Sequence, residues 1–208
     1  MNFAEKRDYF QISYTEDKRI NWKHIFDKDL SLNLEIGSGR GDFLIEKSRK
    51  EPNVNFLGIE MKEKRIKTII KKLDKNQNPN VRILQMFLNE KNMGIFPHCS
   101  FKKIYIKHPD PWPKRRHHKR RLIQKGVVDR LNHILQLNGK IEISTDHADY
   151  AKWIVRIFNK RNDFYPLFQD GYQRQEPEGN IRTYFERKKR KKGLKPYFMC
   201  YQKREEIG

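Results

Sequence analysis

The chain has 208 residues, enough for one α/β domain with a continuous core. It carries 46 Lys and Arg against 26 Asp and Glu, a formal net charge of +20, and its mean hydropathy is −0.98. Such a chain offers no apolar run long enough to span a bilayer, and its two distant cysteines, Cys99 and Cys200, exclude a disulfide scaffold and any cysteine-rich metal site. The basic surplus points to a polyanionic partner, nucleic acid before a membrane surface. Met1 to Phe10 lacks the apolar stretch of a signal peptide, so the expected location is cytoplasmic.

Met1 to Leu30 is charged with scattered aromatics and reads as an arm or short helix outside the core, leaving residues 31–208 as the domain. Leu32 to Ile36 is a short strand stopped by Gly37-Ser38-Gly39-Arg40-Gly41. Asp42 is placed to cap a helix through Phe43, Leu44, Ile45 and Lys47, which Pro52 and Asn53 end. Val54 to Glu60 is a second strand. Lys62 to Leu73 is a basic helix with Ile66, Ile69, Ile70 and Leu73 on one face. A turn at Asn76 to Pro79 leads to a third strand, Val81 to Gln85, and Lys103 to Lys107 is a fourth. After a proline-rich loop come a helix over Arg121 to Leu135, a turn at Asn138-Gly139, a strand over Lys140 to Ser144 and a helix over Ala148 to Arg161. Phe164 to Phe168 and Tyr197 to Gln202 are the last strands, and Arg187 to Lys192 is a strongly basic run. Strands alternating with helices predict a doubly wound, mostly parallel sheet.

Glycines 37, 39 and 41 follow a strand and open a helix, where a backbone without Cβ atoms can approach a nucleotide-like cofactor. The dinucleotide fingerprint is G-x-G-x-x-G. Here the third glycine comes one residue early, and Asp42 fills its slot. Glu35 just before the glycines repels a pyrophosphate but suits a cationic amino-acid moiety. Glu60, ending the second strand, is placed to accept hydrogen bonds from ribose hydroxyls.

Lys107-His108-Pro109-Asp110-Pro111-Trp112-Pro113-Lys114 follows the fourth strand. Three prolines fix φ around Asp110 and Trp112, so the loop is stiff at the strand end where such folds bind ligands. A pinned acid beside a tryptophan offers charge and a flat surface to a base. Arg115, Arg116, His117, His118, Lys119, Arg120 and Arg121 follow as a phosphate-binding run. His117 and His118 are adjacent, which is poor spacing for one ion, and no metal is expected.

Together these segments resemble the bacterial tRNA (guanine-N7)-methyltransferases, from about Leu32 to Tyr201. The most specific part is Pro109 to Lys114, with Arg116-His117 and Lys119-Arg120-Arg121 behind it. The Glu35 glycine turn, Ser144-Thr145-Asp146, and Thr183-Tyr184-Phe185-Glu186 after Glu178-Gly179-Asn180 match in chain order. The resemblance implies a Rossmann-like class I methyltransferase fold whose mostly parallel sheet carries one antiparallel C-terminal strand. It implies methylation of N7 of a variable-loop guanosine in tRNA by S-adenosylmethionine, with S-adenosylhomocysteine as product. By the same resemblance Glu35, Gly37, Gly39, Gly41 and Glu60 contact the methyl donor and Asp110 sits at the catalytic centre. Lys114, Asp146, Thr183, Tyr184, Phe185 and Glu186 bind substrate, and Arg116, His117, His118, Lys119, Arg120 and Arg121 contact RNA. The family usually has an acidic or amide residue just after the third strand, where it reads adenine. Phe87 stands there, so either Phe87 stacks on the adenine or Asn89 takes the polar role. The chain is expected to act as a monomer or homodimer.

Two other enzyme readings and one non-enzyme reading compete. The Asp110-Pro111-Trp112-Pro113 loop is similar to the D/N-P-P-aromatic loop of amino-group methylases, although Trp112 stands where those have proline. A nicotinamide oxidoreductase is disfavoured by Asp42 in the glycine slot. A non-catalytic RNA-binding module is opposed by the intact Glu35, Glu60, Asp110 and three glycines.

Overall fold

The computed structural model describes residues 1–15 and 18–205 and falls into two units, Met1–Pro97 and His98–Gly208. In the first unit the elements are α1 (Phe3–Phe10), β1 (Gln11–Ile12), β2 (Leu32–Ile36), α2 (Asp42–Lys50), β3 (Asn55–Glu60), α3 (Glu63–Lys72) and β4 (Val81–Gln85). The strands lie in the order β1-β4-β3-β2, and every pairing is parallel. All residues of β2 and β3 are buried, as expected of parallel strands covered on both faces. Helix α3 buries Ile66, Ile69 and Ile70, the face that the apolar spacing predicts.

The amino-terminal segment corrects its expected role as an arm. Helix α1 begins in a capping box, in which Asn2 and Glu5 satisfy each other's backbone N–H groups. Strand β1 extends the sheet beside β4. Phe10 is fully buried, and Ile20 and Phe26 are buried with it. Arg82 of β4 is 4% exposed and lies 4.2 Å from the Tyr9 ring and 5.3 Å from the Phe26 ring. This cation–π sandwich ties the segment to the sheet. The break between units therefore falls after Pro97, not at residue 30.

The second unit contains β5 (Phe101–Lys107), α4 (Lys125–Ile134), β6 (Leu135–Thr145), α5 (Ala148–Phe158), β7 (Phe164–Pro166), α6 (Tyr184–Arg190) and β8 (Tyr197–Lys203). Strands β5 and β6 are parallel, and β8 runs antiparallel to both β6 and β7. The sheet is thus mostly parallel with one antiparallel carboxy-terminal strand, as the sequence predicts. Residues Arg115–Arg120 form 3-10 turns, so the helix expected from Arg121 starts only at Lys125. The turn expected at Asn138-Gly139 falls inside β6, where a Cβ on Gly139 would lie 2.7 Å from the Gln136 carbonyl. Asn138 has φ +59°, and the pairing with β5 shifts register between Phe101 and Lys103. Helix α6, which joins the Tyr184 to Glu186 match to the start of the basic run and is not among the expected helices, is capped by the Thr183 hydroxyl, which accepts from the Glu186 N–H at 3.1 Å.

Among the described residues no helix is long and apolar enough to cross a membrane. Phe10→Ala is expected to cost about 3–5 kcal/mol of stability, as for a large buried aromatic. Urea unfolding measures it, and a loss below about 1 kcal/mol, typical of a surface change, would put α1 outside the core.

Candidate active site

The glycine turn of the first unit has the backbone its sequence requires. Gly37, Gly39 and Gly41 have φ of +78°, +58° and +76°, the left-handed region that glycine enters without a Cβ penalty. Their purposes differ. A Cβ on Gly37 would meet nothing within 4 Å, and one on Gly39 only the Gly37 carbonyl at 3.8 Å, so open space lies over these two. A Cβ on Gly41 would press on Ile69 at 3.0 Å and Ile45 at 3.2 Å, so Gly41 lets α2 and α3 pack. Gly41 is also the residue that caps α2. Asp42, expected as the cap, lies in the first turn and pairs with Lys72 at 2.9 Å. Sequence reading missed Gly58 in β3, where a Cβ would lie 2.5 Å from Leu44 and 2.7 Å from the Ser38 hydroxyl. Without that glycine, helix and turn could not sit so close to the strand.

Glu35 and Glu60 are each 2% exposed. Glu60 accepts the Gly39 N–H at 2.9 Å on one oxygen, and the Met61 and Lys62 N–H groups at 3.0 and 2.9 Å on the other. Arg65 approaches at 3.4 Å. The acid expected for a ribose is thus also the clip that holds the turn. Phe87 is 65% exposed, whereas Asn89 uses its side-chain oxygen to accept from the Lys91 and Asn92 N–H groups at 2.8 and 3.1 Å. Open space over two glycines, flanked by acids, fits a cationic donor with a sugar better than it fits a pyrophosphate.

In the second unit the proline loop is locked by Arg121, which corrects its expected role in gripping RNA. Arg121 is 2% exposed. It donates to the Pro111 carbonyl at 2.9 Å and to Asp149, and it lies 5.0 Å from both the Tyr150 and the Trp153 rings. His118 is half-buried, next to the Arg121 guanidinium at 2.9 Å and edge-on to Trp153 at 5.6 Å. Trp112, with φ +41°, has Arg120 at 5.0 Å and the edge of His117 at 5.7 Å. The tryptophan is therefore partly covered by the basic run itself. Asp110, Lys114, Arg115, Arg116, Lys119 and Arg120 are exposed.

A second acidic group stands around Asp146, which follows β6. His108, with 3% of its side chain exposed, has Nδ1 3.7 Å from Asp146 and Nε2 3.6 Å from Glu186. Lys189 lies 3.1 Å from Asp146, and Arg190 lies 2.8 Å from Glu186. The His108 ring and the Lys189 ammonium hold the Asp146 carboxyl well below the usual carboxylate range. Burial opposes ionisation of Glu186, but His108 and Arg190 outweigh it and its pKa is lowered. Glu186 is 1% exposed, so its carboxylate supports the group from inside, whereas Tyr184 and Phe185 are 47% and 44% exposed. Among the described residues no group of three His, Cys, Asp or Glu side chains is arranged to hold a metal.

A family model described as a putative methyltransferase matches residues 29–199. A tRNA (guanine-N(7)-)-methyltransferase of an Exiguobacterium species is 32% identical over 184 residues, 88% of this chain and 85% of that protein. The protein of the same name from Leptospira interrogans serovar copenhageni is 32% identical over 194 residues, 92% of this chain and 88% of that protein. Among solved structures, the 16S rRNA methyltransferase KamB aligns with TM-score 0.62 at 12% identity, covering 88% of this chain and 93% of that one. The antibiotic-resistance methyltransferase Kmr aligns with TM-score 0.61 at 9% identity, covering 93% and 95%. At these identities the structural likeness is one of fold, and it is the Rossmann-like methyltransferase fold expected from the sequence.

Arg121→Ala is expected to destabilise the chain by about 2–4 kcal/mol, because it unmakes charged hydrogen bonds and strands the Pro111 carbonyl. Arg116→Ala should change stability by less than about 0.5 kcal/mol. Equal effects in urea titrations would contradict the different burial of the two arginines.

Proposed function

Because the chain belongs to the family of tRNA (guanine-N7)-methyltransferases, we infer that it transfers a methyl group from S-adenosylmethionine to N7 of a variable-loop guanosine in tRNA. The observation that carries the donor assignment is the open left-handed turn at Gly37 and Gly39 flanked by the buried acids Glu35 and Glu60. S-adenosylmethionine bound there supplies an electrophilic methyl group on a sulfonium. Glu35 is assigned to the ammonium of its amino-acid end. Glu60 is assigned to a ribose hydroxyl, through the one lone pair that its three backbone partners leave, in place of the Arg65 guanidinium now 3.4 Å away. The exposed Phe87 ring is assigned to stack on the adenine, a role in which it replaces a polar reader.

Guanine N7 carries a lone pair and has no proton to lose, so no side chain must act as a strong base. The protein's task is to position the ring and to set negative charge near it as it becomes cationic. Asp110 on the stiff loop and the ionised Asp146 are the carboxylates assigned to that task. Lys114, Tyr184 and Phe185 are assigned to the nucleotide around the target base. Arg115, Arg116, Lys119 and Arg120 are exposed and are assigned to phosphates. Arg121 is withdrawn from that set, as are His117, edge-on to Trp112, and His118, held against Arg121 and Trp153.

The decisive experiment incubates the chain with unmodified tRNA transcripts and labelled donor, then identifies the product nucleoside by mass spectrometry. N7-methylguanosine is expected; N6-methyladenosine, or no methyl incorporation into any tRNA, would overturn the reading. Asp110→Ala should lower kcat by about 100-fold at saturating tRNA, and near-normal turnover would remove Asp110 from the chemistry. Affinity for tRNA should fall steeply with salt, and Arg116→Ala should reduce the logarithmic slope by about 1. An unchanged slope would mean that Arg116 touches no phosphate.

A further inference from the structure

His108 belongs to the loop motif, but the proposed function leaves it without a role. Its backbone has φ +52°, a conformation disfavoured for a residue with a Cβ, and its N–H donates to the Ser144 carbonyl at 2.8 Å. The ring is almost fully buried and has the Phe185 ring at 5.4 Å. Neither ring nitrogen has a hydrogen-bond partner at normal distance among the described residues. What each nitrogen faces is a carboxylate at ion-pair distance, Asp146 on one side and Glu186 on the other.

That arrangement constrains the ring's chemistry. A neutral imidazole has one N–H and one lone pair. A lone pair turned toward a buried carboxylate is repulsive, so either neutral tautomer satisfies one acid and opposes the other. Only the imidazolium presents an N–H to both. Lys189 and Arg190, one turn of α6 away, each answer one of the same carboxylates from its far side.

We propose that His108, as an imidazolium, is the positioning residue that ties Asp146 after β6 to Glu186 on α6. It thereby holds the helix carrying Tyr184 and Phe185 in register with the acid at the end of the strand. In its link to catalysis the proposal rests on the reading that this group of residues receives the guanine. His108 acts through its neighbours; it is not a group that touches the substrate. Burial alone would lower the pKa of His108, but the two carboxylates outweigh burial and raise it. The charged groups facing the ring are Asp146 from the segment after β6 and Glu186 from α6, with Lys189 and Arg190 behind them.

The pH window follows from these directions. A group whose pKa is raised on folding contributes fully below its ordinary value, about 6.5 for histidine, and its contribution is lost as pH rises through the raised value. The two carboxylates have lowered pKa values, so their contribution is present above the ordinary carboxylate range and fades as pH falls through the lowered values. The clamp is complete between those limits.

The test is an imidazole-15N NMR titration of the full chain, with the ring of His108 assigned by its loss in His108→Gln or, should that variant not fold, by selective labelling. Both nitrogens should be protonated near neutral pH, with a midpoint above about 6.5, and Asp146→Asn and Glu186→Gln should each lower that midpoint. A single-tautomer neutral ring, or a midpoint at or below about 6.5, overturns the proposal. In methyl transfer, kcat/KM for tRNA should show an alkaline fall at the same midpoint. His108→Gln should lose that limb and fall by roughly tenfold overall; an unaltered pH profile in His108→Gln also overturns the proposal. If the wild-type chain methylates no tRNA, the proposed function fails, while the titration still decides the state of His108.

Discussion

A carboxylate removed from water has to be met by donors or cations, and in both units that requirement shapes the loops at the ends of strands. At Glu60 the answer is backbone. Three N–H groups, one from the glycine turn and two from the start of the next helix, converge on one buried acid. The turn is thereby held in the left-handed conformation that leaves space over Gly37 and Gly39. Elsewhere the acids Asp146 and Glu186 are answered by side chains, with His108 between them and Lys189 and Arg190 outside. Both solutions fix a loop by charge rather than by packing alone.

The basic surplus divides in the same manner. Some of the cations work inside the protein. Arg82 lies between two aromatic rings, Arg121 holds the proline loop, and Lys203 donates to the Asn132 and Leu135 carbonyls at the end of α4 at 2.8 and 3.0 Å. Others, such as Arg115, Arg116, Lys119 and Arg120, project into solvent. Net charge counts the two classes alike, although only the second is available to a phosphate. The same distinction separates Arg120 from Arg121, adjacent residues with opposite fates.

Burial also sets the chemistry of the cysteines and tyrosines. The Cys200 thiol is pushed up to about 12, chiefly by burial, and so remains a neutral apolar filler, as its isolation in the sequence suggested. Tyr150 is likewise pushed up to about 12 by burial, and its hydroxyl accepts the Ile123 N–H at 3.1 Å below the Arg121 clamp. The acids Asp146 and Glu186, by contrast, keep their charge because cations stand beside them.

Features written locally in the chain were legible from sequence alone. The alternation of β2, α2, β3, α3 and β4, the need for glycine at a left-handed turn, and the stiffness of a loop with three prolines each depend on near neighbours, and all three could be read before any coordinates. The family match rests on the same short segments. Other features depend on partners far along the chain. Gly58 looks like an interruption in a strand until Leu44 and Ser38 are seen against it. Phe10 looks exposed until β1 pairs with β4. Arg121 reads as one of seven basic or histidine residues until Pro111, Tyr150 and Trp153 enclose it. Sequence by itself determined the periodic elements, the glycine turn and the chemical types available to each site. Tertiary structure alone decided which charges are buried and with whom they pair, because desolvation depends on neighbours that no local pattern records.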